Sequence, residues 1–169
     1  MLDQTPVQIA WVTRDLAATE AMLTSLLGAR KWVRMPGVHF GPDKCCYRGQ
    51  PADFVADISL SYAGDTQLEL IAPVSGRNIY AEFLDERGPG LHHICVTVAD
   101  AERFEAAVSD AELNGAPVVM AGTMPGGMRF ASVSARKVSA EGSGVPYIEI
   151  AYIPIQINAF FEKIKQEQQ

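Results

Sequence analysis

The sequence lacks the long apolar run that a membrane-spanning helix needs, and its first residues, 1–6, lack a basic region. We therefore expect neither a signal peptide nor a membrane anchor. Only three cysteines are present, Cys45, Cys46 and Cys95, and no CxxC spacing among them marks a zinc site. Because adjacent cysteines bridge each other only with strain, the sequence predicts reduced thiols and a cytoplasmic setting.

Positive charge is also scarce, since 14 Lys and Arg residues stand against 20 Asp and Glu residues, for a formal net charge of −6. This balance argues against nucleic acid or an anionic membrane surface as a partner and favours a small-molecule ligand. The chain has 169 residues, of which 48% are hydrophobic, so it is long enough to bury a substantial core.

Two stretches of the chain, residues 8–16 and 90–100, have the same build. Each carries a polar residue at the head of an apolar strand and ends in an aspartate that opens an alanine-containing helix. His93 follows Gln8 by 85 positions, and Asp100 follows Asp15 by the same 85. A later strand in each copy holds a single glutamate among apolar residues, Glu69 and Glu149, 80 positions apart. The chain is therefore interpreted as a tandem duplication.

Each copy is predicted to fold as a βαβββ unit, which gives an α+β fold with a curved mixed sheet around a metal-binding concavity. The predicted divisions are a first unit at 1–75, a linker helix at 76–89, a second unit at 90–154 and a C-terminal helix at 155–169. Between the second and third strands, residues 36–53 are rich in glycine and proline. We expect Pro36 and Gly37 to end the second strand, and a long irregular loop to form a lid or pocket wall.

A twofold relation between the copies would bring four polar side chains together, those of Gln8, Glu69, His93 and Glu149. One imidazole, two carboxylates and one amide oxygen suit a divalent cation such as Zn²⁺, Ni²⁺, Co²⁺, Mn²⁺ or Fe²⁺. Strand alternation places His92 on the face opposite to His93. The alternative is that both glutamates point outward on amphipathic strands and that His93 is a core histidine.

The layout resembles the vicinal oxygen chelate superfamily, which includes glyoxalase I, methylmalonyl-CoA epimerase, extradiol dioxygenases and bleomycin-resistance proteins. The stretch from Glu82 to Ile94, with its paired histidines, is similar to methylmalonyl-CoA epimerases, in which the second histidine binds metal. The order Gln, Glu, His, Glu resembles the glutamine-bearing form of glyoxalase I. The resemblance implies metal ligands at Gln8, Glu69, His93 and Glu149, with Zn, Ni, Co or Mn as the ion.

The resemblance also implies a lyase or isomerase that abstracts a proton next to the carbonyl of a carbonyl or thioester substrate and stabilises the enediolate. By resemblance to glyoxalase I, Glu149 is the first choice as base, and Glu69 serves as ligand or second base. Extradiol dioxygenases carry a histidine where this chain has Gln8, which disfavours oxygen chemistry. Methylmalonyl-CoA epimerases use another glutamate from the middle strands, but this chain has no glutamate between Glu20 and Glu69, and Asp57 is only a distant substitute. The alternative is a metal-free, bleomycin-resistance-like binding protein.

Relatives in this superfamily pair their units within a chain or across a dimer, so a homodimer is expected. Candidate substrate-binding residues lie in the long first-unit loop and near the last two strands, although each is more often a solvated surface group. They are His39, Lys44, Tyr47, Arg48, Arg129, Arg136 and Lys137. Because His39 has no counterpart in the second copy, we do not expect it to bind metal.

Overall fold

The computed structural model describes residues 5–135 and 144–169, so Arg136 and Lys137 lie outside the described residues. The strands in this part of the chain are β1 Gln8–Val12, β2 Val33–Phe40, β3 Cys45–Tyr47, β4 Gln50–Pro51, β5 Phe54–Ala63, β6 Thr66–Ser75, β7 Gly90–Val98, β8 Val118–Thr123, β9 Arg129–Ser134 and β10 Tyr147–Tyr152. The α-helices are α1 Leu16–Leu27, α2 Ile79–Arg87, α3 Ala101–Leu113 and α4 Ile155–Gln166. Among these helices, none is long and apolar enough to cross a membrane.

All the described strands belong to one mixed sheet with the order β2-β5-β6-β1-β7-β10-β9-β8-β3-β4. In each half the first strand pairs in parallel with the last, β1 with β6 and β7 with β10. The two first strands, β1 and β7, pair antiparallel at the centre. The halves are thus related by a pseudo-twofold axis, and the predicted α+β fold with two βαβββ units is confirmed. The unit boundaries at 75, 89 and 154 stay a prediction.

Equivalent aspartates begin the first helix of each half. The Asp15 carboxylate accepts a hydrogen bond from the Ala18 N–H, and the Asp100 carboxylate accepts one from the Arg103 N–H. These bonds satisfy backbone donors that have no partner inside a helix. Helix α1 ends at Gly28, whose φ of 75° is in the left-handed region that favours glycine.

The expectation of a long irregular loop over 36–53 is wrong. Strand β2 continues through Pro36 and Gly37 to Phe40, with a register shift against β5 between Met35 and Val38. Proline is tolerated because β2 is an edge strand, and the Gly37 N–H donates to the Asp57 carboxylate over 2.7 Å. The rest of the segment contains the short strands β3 and β4 joined by turns. The segment does contribute to a pocket wall, since Val38 and Phe40 line the cavity described below.

Strand β3 curls the sheet by pairing with β8 of the second half only a few residues after β2 has ended on the first half. A Cβ atom at Gly122 would lie 2.5 Å from the Cys45 Sγ, so only glycine allows this close approach. The Phe40 and Phe130 rings meet edge to face at 6.1 Å across the resulting half-barrel. The two edges of the sheet therefore enclose a concave, aromatic-rich interior.

Two hydrophobic clusters lie on opposite faces of the sheet. Helix α3 packs Phe104 and Ala107 against Val96, Val98 and Ile150 on the outer face of the second half. The inner cluster fills the concavity with side chains from β2, β5, α2 and α4. The predicted C-terminal helix is present as α4 and is held to this inner cluster through Ile164 and Phe161.

Candidate active site

A cavity of about 280 Å³ opens into the concave side of the sheet. Its polar lining comes from β1, β6 and β10 through Gln8, Gln67, Glu69 and Glu149. Apolar side chains from β2, β5, β9 and α4 form most of the remaining wall, among them Val38, Ile58, Leu60, Phe130, Phe160 and Phe161. Three of the four predicted metal ligands therefore line one cavity, and the fourth, His93, lies fully buried beside it.

Both glutamates approach the same nitrogen of His93. The distances from the His93 Nε2 are 3.5 Å to the Glu69 Oε2 and 3.7 Å to the Glu149 Oε2. The Glu149 side chain is 8% exposed and the Glu69 side chain 15% exposed. The alternative interpretation of the sequence requires both glutamates to point outward, but in the structure neither does. The assignment of these residues as ligands or bases stays a prediction.

The two histidines touch each other because β7 has an irregular register. Ala10 pairs with His93 and Trp11 pairs with Leu91, which leaves His92 as an extra residue in the strand. The two imidazole rings meet through their Nδ1 atoms at 2.9 Å. The prediction that strand alternation separates His92 from His93 on opposite faces is therefore wrong. The bulge brings the two side chains together, and His92 is a direct hydrogen-bonding partner of His93.

Gln8 is oriented by its neighbour on β6. Its Nε2 donates a hydrogen bond of 2.7 Å to the Gln67 Oε1, and the Gln67 Nε2 donates to the Tyr62 hydroxyl over 3.0 Å. The Gln8 Oε1 is buried and has no hydrogen-bonding partner among the described residues. In the sheet, Gln8 lies opposite Cys95, two positions along β7 from His93, so the two predicted ligands are diagonal neighbours.

The electrostatics of the cluster follow from its burial. Burial lowers the pKa of His93, but the Glu149 and Glu69 carboxylates outweigh burial and raise the pKa above its ordinary value. The pKa of Glu149 is raised above its ordinary value. Burial is the main cause and the nearby Glu69 carboxylate adds to it, whereas His93 acts in the opposite direction. Burial, with His93 alongside, lowers the pKa of His92 well below its ordinary value. Burial therefore favours the neutral form of the His92 imidazole.

The chemistry of the donors fits a divalent cation. The His93 Nε2 and the Gln8 Oε1 are buried without hydrogen-bonding partners, and both are metal-binding atoms. Two ligand atoms that each bind one ion at about 2.1 Å lie about 3.0–3.4 Å from each other. The distances from the His93 Nε2 to the two glutamate oxygens are slightly longer than this. Accordingly, no group of three His, Cys, Asp or Glu side chains in residues 5–135 and 144–169 already has metal-binding geometry.

Among the described residues, the other polar side chains considered from the sequence lie outside this cavity and mostly have their own partners. His39 contacts Asp53 at 2.7 Å, Tyr47 and Arg48 bond to Glu82, and Arg129 bonds to Glu105. Lys44 and Arg129 line a different, more open surface cleft of about 660 Å³ that contains none of the four predicted ligands. We place the functional site in the smaller cavity because the convergent, buried polar groups are there.

Several residues of the site had no clear signal in the sequence. Gln67 is two positions before Glu69 on the same face of β6, so strand periodicity could have found it. The bulge at His92 and the cavity walls from Met124 and Phe161 depend on contacts between distant parts of the chain. Tyr80 of α2 also lines the cavity, and burial together with both carboxylates raises its pKa, so its hydroxyl stays neutral.

Comparison with solved structures shows that the fold is shared. The methylmalonyl-CoA epimerase of Mycobacterium tuberculosis is similar, with a TM-score of 0.60, 19% identity and 91% of each chain covered. A hypothetical protein of Bacillus halodurans has a TM-score of 0.59 and 20% identity, covering 90% of this chain and 96% of that chain. A variant of the Streptomyces coelicolor methylmalonyl-CoA epimerase, in complex with 2-nitronate-propionyl-CoA, has a TM-score of 0.54 and 17% identity, with 90% and 96% covered.

No curated protein matches the chain by sequence. A family match covers residues 7–132, which is more than half of the chain and includes the central strands β1 and β7. The matched family is described as the Glyoxalase/Bleomycin resistance protein/Dioxygenase superfamily. By this match and by its paired βαβββ units, the chain belongs to the glyoxalase/bleomycin resistance/dioxygenase superfamily, which is the vicinal oxygen chelate fold.

Proposed function

We propose that this chain is a divalent-metal-dependent lyase or isomerase that removes a proton next to a substrate carbonyl. The observation that carries the proposal is the approach of two carboxylates to one imidazole nitrogen, at 3.5 and 3.7 Å, beside an apolar cavity. Two ionised glutamates are costly in such surroundings unless positive charge accompanies both, and a protonated His93 would supply only one positive charge. The cluster therefore supports a catalytic centre better than a structural core.

Gln8, Glu69, His93 and Glu149 would hold the cation, with Zn, Ni, Co or Mn as the candidates. When bound, the cation would supply Lewis-acid stabilisation for the negative charge that develops on the carbonyl oxygen. The apolar walls around Ile58, Leu60 and Phe130 would exclude bulk water and so strengthen every electrostatic interaction inside the cavity.

Glu149 is the proposed base that takes the substrate proton on its carboxylate. Burial raises the pKa of Glu149, and a carboxylate with a raised pKa holds a proton more strongly. Glu69 lies at the position related by the pseudo-twofold axis, on β6 where Glu149 is on β10. It would act as ligand or return a proton from a second direction, which an isomerisation or epimerisation needs.

Two branches of this chemistry stay open, a lactoylglutathione-lyase-like reaction and a CoA-ester-epimerase-like reaction. The similarity to structures named methylmalonyl-CoA epimerase supports the second branch at the level of reaction type. Asp57 offers no replacement for the additional glutamate of those enzymes, because its carboxylate accepts the Gly37 N–H and does not line the cavity. We therefore propose that the chain catalyses this class of reaction, but we do not propose methylmalonyl-CoA as its substrate.

The second candidate function is metal-free binding of a small apolar molecule, which the apolar cavity of about 280 Å³ favours. We also propose that the chain forms a homodimer in the cytoplasm. Light scattering of the purified protein measures the oligomeric state, and fractionation of cells measures the location. A monomeric mass or a non-cytoplasmic fraction would contradict these two proposals.

Proton exchange tests the proposed function directly. Metal-supplemented protein is incubated in D₂O with a hydroxymethyl ketone, a glutathione hemithioacetal and an acyl-CoA thioester, and deuterium at the α-carbon is followed by NMR. We expect exchange into at least one compound, and a loss of about 10²-fold or more in Glu149→Gln. The matched control is Glu112→Gln, an exposed glutamate on α3. Unchanged exchange in Glu149→Gln, or none with any compound, would contradict the proposal.

A further inference from the structure

From the lining of the cavity we infer a substrate class: a neutral carbonyl compound with an apolar body, whose carboxylate- or phosphate-bearing analogues the cavity rejects. This inference rests on the proposed function for the identity of the reacting group. It goes beyond that function because, among carbonyl compounds with the same α-proton chemistry, it favours neutral ones over the glutathione adduct and the CoA ester, whose carboxylates or phosphates would meet the cavity.

The charges of the cavity lining all have one sign. Among the described residues that form it, two are acidic, Glu69 and Glu149, and none is lysine or arginine. The remaining polar groups are neutral, namely the amides of Gln8 and Gln67 and the hydroxyl of Tyr80. A divalent cation held by the two glutamates would neutralise them and leave no positive charge for a further anion. An anionic group on the substrate would therefore lie unpaired in apolar surroundings.

Among the described residues, the basic side chains on the elements that form the cavity are directed elsewhere. Lys165 of α4 contacts the Asp65 carboxylate at 2.7 Å, and Arg34 of β2 forms hydrogen bonds to Glu20 under α1. Arg129, which lies next to the wall residue Phe130, packs over the Phe104 ring and bonds to Glu105 on the outer face. These cations are already paired, so they are not available to an anion inside the cavity.

Helix α4 adds the last apolar wall. It lies after both βαβββ units and contributes Ile157, Phe160 and Phe161 to the cavity. The Gln168 side chain just beyond the helix accepts hydrogen bonds from the N–H groups of Arg30 and Lys31, which fastens this end of the chain. The volume of about 280 Å³ that remains holds an aryl or short alkyl ketone and is too small for a nucleotide.

The test compares two probes of nearly the same shape, the para-nitro and para-carboxylate derivatives of phenyl hydroxymethyl ketone. Calorimetry measures binding of each to the full chain in the presence of Zn²⁺, and NMR in D₂O measures proton exchange. We expect the neutral nitro compound to bind at least ten-fold more tightly. Equal or tighter binding of the carboxylate, or no binding of the nitro compound, would overturn the inference.

The two readouts separate this inference from the proposed function. Preferential binding of the nitro compound without proton exchange would support the substrate class and contradict the reaction. Exchange that is faster with the carboxylate would support the reaction and contradict the substrate class.

A cavity variant adds a matched comparison. Val38→Arg places a cation at the wall and should narrow the preference for the nitro compound at least three-fold, whereas Leu113→Arg, on an exposed position of α3, should leave it unchanged. If the Val38→Arg variant does not fold, Ile157→Lys on α4 takes its place, because Ile157 also lines the cavity. An unchanged preference in a folded cavity variant would count against the inference.

Discussion

Side-chain orientation at the centre of the site depends on residues that do not themselves face the substrate. The Nδ1 atoms of His92 and His93 lie within hydrogen-bond distance of each other, which leaves the Nε2 of His93 facing Glu69 and Glu149. A hydrogen bond on one ring nitrogen commonly determines which nitrogen binds metal. His92 is thus a positioning residue for the proposed ligand His93.

Gln67 has the corresponding role for Gln8, and this yields a prediction for Gln67→Leu. Loss of the acceptor at 2.7 Å would free the Gln8 amide to rotate, so we expect metal affinity to fall about ten-fold or more. Titration calorimetry with Zn²⁺ measures the change. Tyr62→Phe, which removes only the far end of the chain of hydrogen bonds, should have a smaller effect. Equal affinity in Gln67→Leu and wild type would show that Gln8 needs no such support.

The proximity of the candidate ligand side chains was predictable from the sequence because duplication placed matching polar residues on equivalent apolar strands, whereas their role as metal ligands stays a prediction. Glu69, His93 and Glu149 converge as that pattern indicates. The contact between His92 and His93 was not predictable, because strict alternation in a strand does not anticipate an extra residue in β7.

At the scale of elements, helix α1 is fastened to the first half of the sheet by one buried carboxylate. The Glu20 carboxylate accepts hydrogen bonds from the Arg34 Nε at 2.9 Å, the Arg34 Nη2 at 2.6 Å and the Ser59 hydroxyl at 2.6 Å. Partial burial raises the pKa of Glu20, but these donors outweigh burial and hold the pKa below its ordinary value of 4.5. The charged form is therefore favoured in the folded protein.

Because the pKa of Glu20 is lower in the folded state, its contribution to stability is present at neutral pH and is lost as the pH falls below 4.5. We expect Glu20→Gln to lower the free energy of unfolding by about 1–2 kcal/mol at pH 7. The difference from wild type should shrink as the pH drops through the folded pKa. Urea unfolding at pH 7 and at a pH below 4.5 measures the difference, with the exposed Glu112→Gln as control. A difference that does not depend on pH would contradict the assignment.

The elements themselves were predictable to different degrees. The caps at Asp15 and Asp100 and the helix end at Gly28 follow from local chemistry and are confirmed. The passage of β2 through Pro36 and Gly37 was not predictable, since it depends on β2 lying at the edge of the sheet. The pairing of β3 with β8 likewise results from the closure of the half-barrel.

At the scale of the whole molecule, the two duplicated units supply the polar residues and the rest of the chain supplies much of the enclosure. Side chains of α4 and of the turn at Pro125–Gly127 close the cavity over the central strands. On helix α1, the apolar side chains of Met22, Leu26 and Leu27 are exposed. An exposed apolar group of this kind is consistent with the proposed homodimer.

The central claim is that Gln8, Glu69, His93 and Glu149 form a metal centre, and metal analysis of the purified chain tests it most directly. Elemental mass spectrometry is carried out on wild type, Glu69→Ala and His93→Ala, with His39→Ala as the control because His39 is exposed and lies outside the cavity. We predict about one Zn, Ni, Co or Mn ion per chain in wild type and in His39→Ala, and its loss in the other two. The claim is contradicted if wild type neither contains nor takes up a divalent ion, or if Glu69→Ala and His93→Ala retain it.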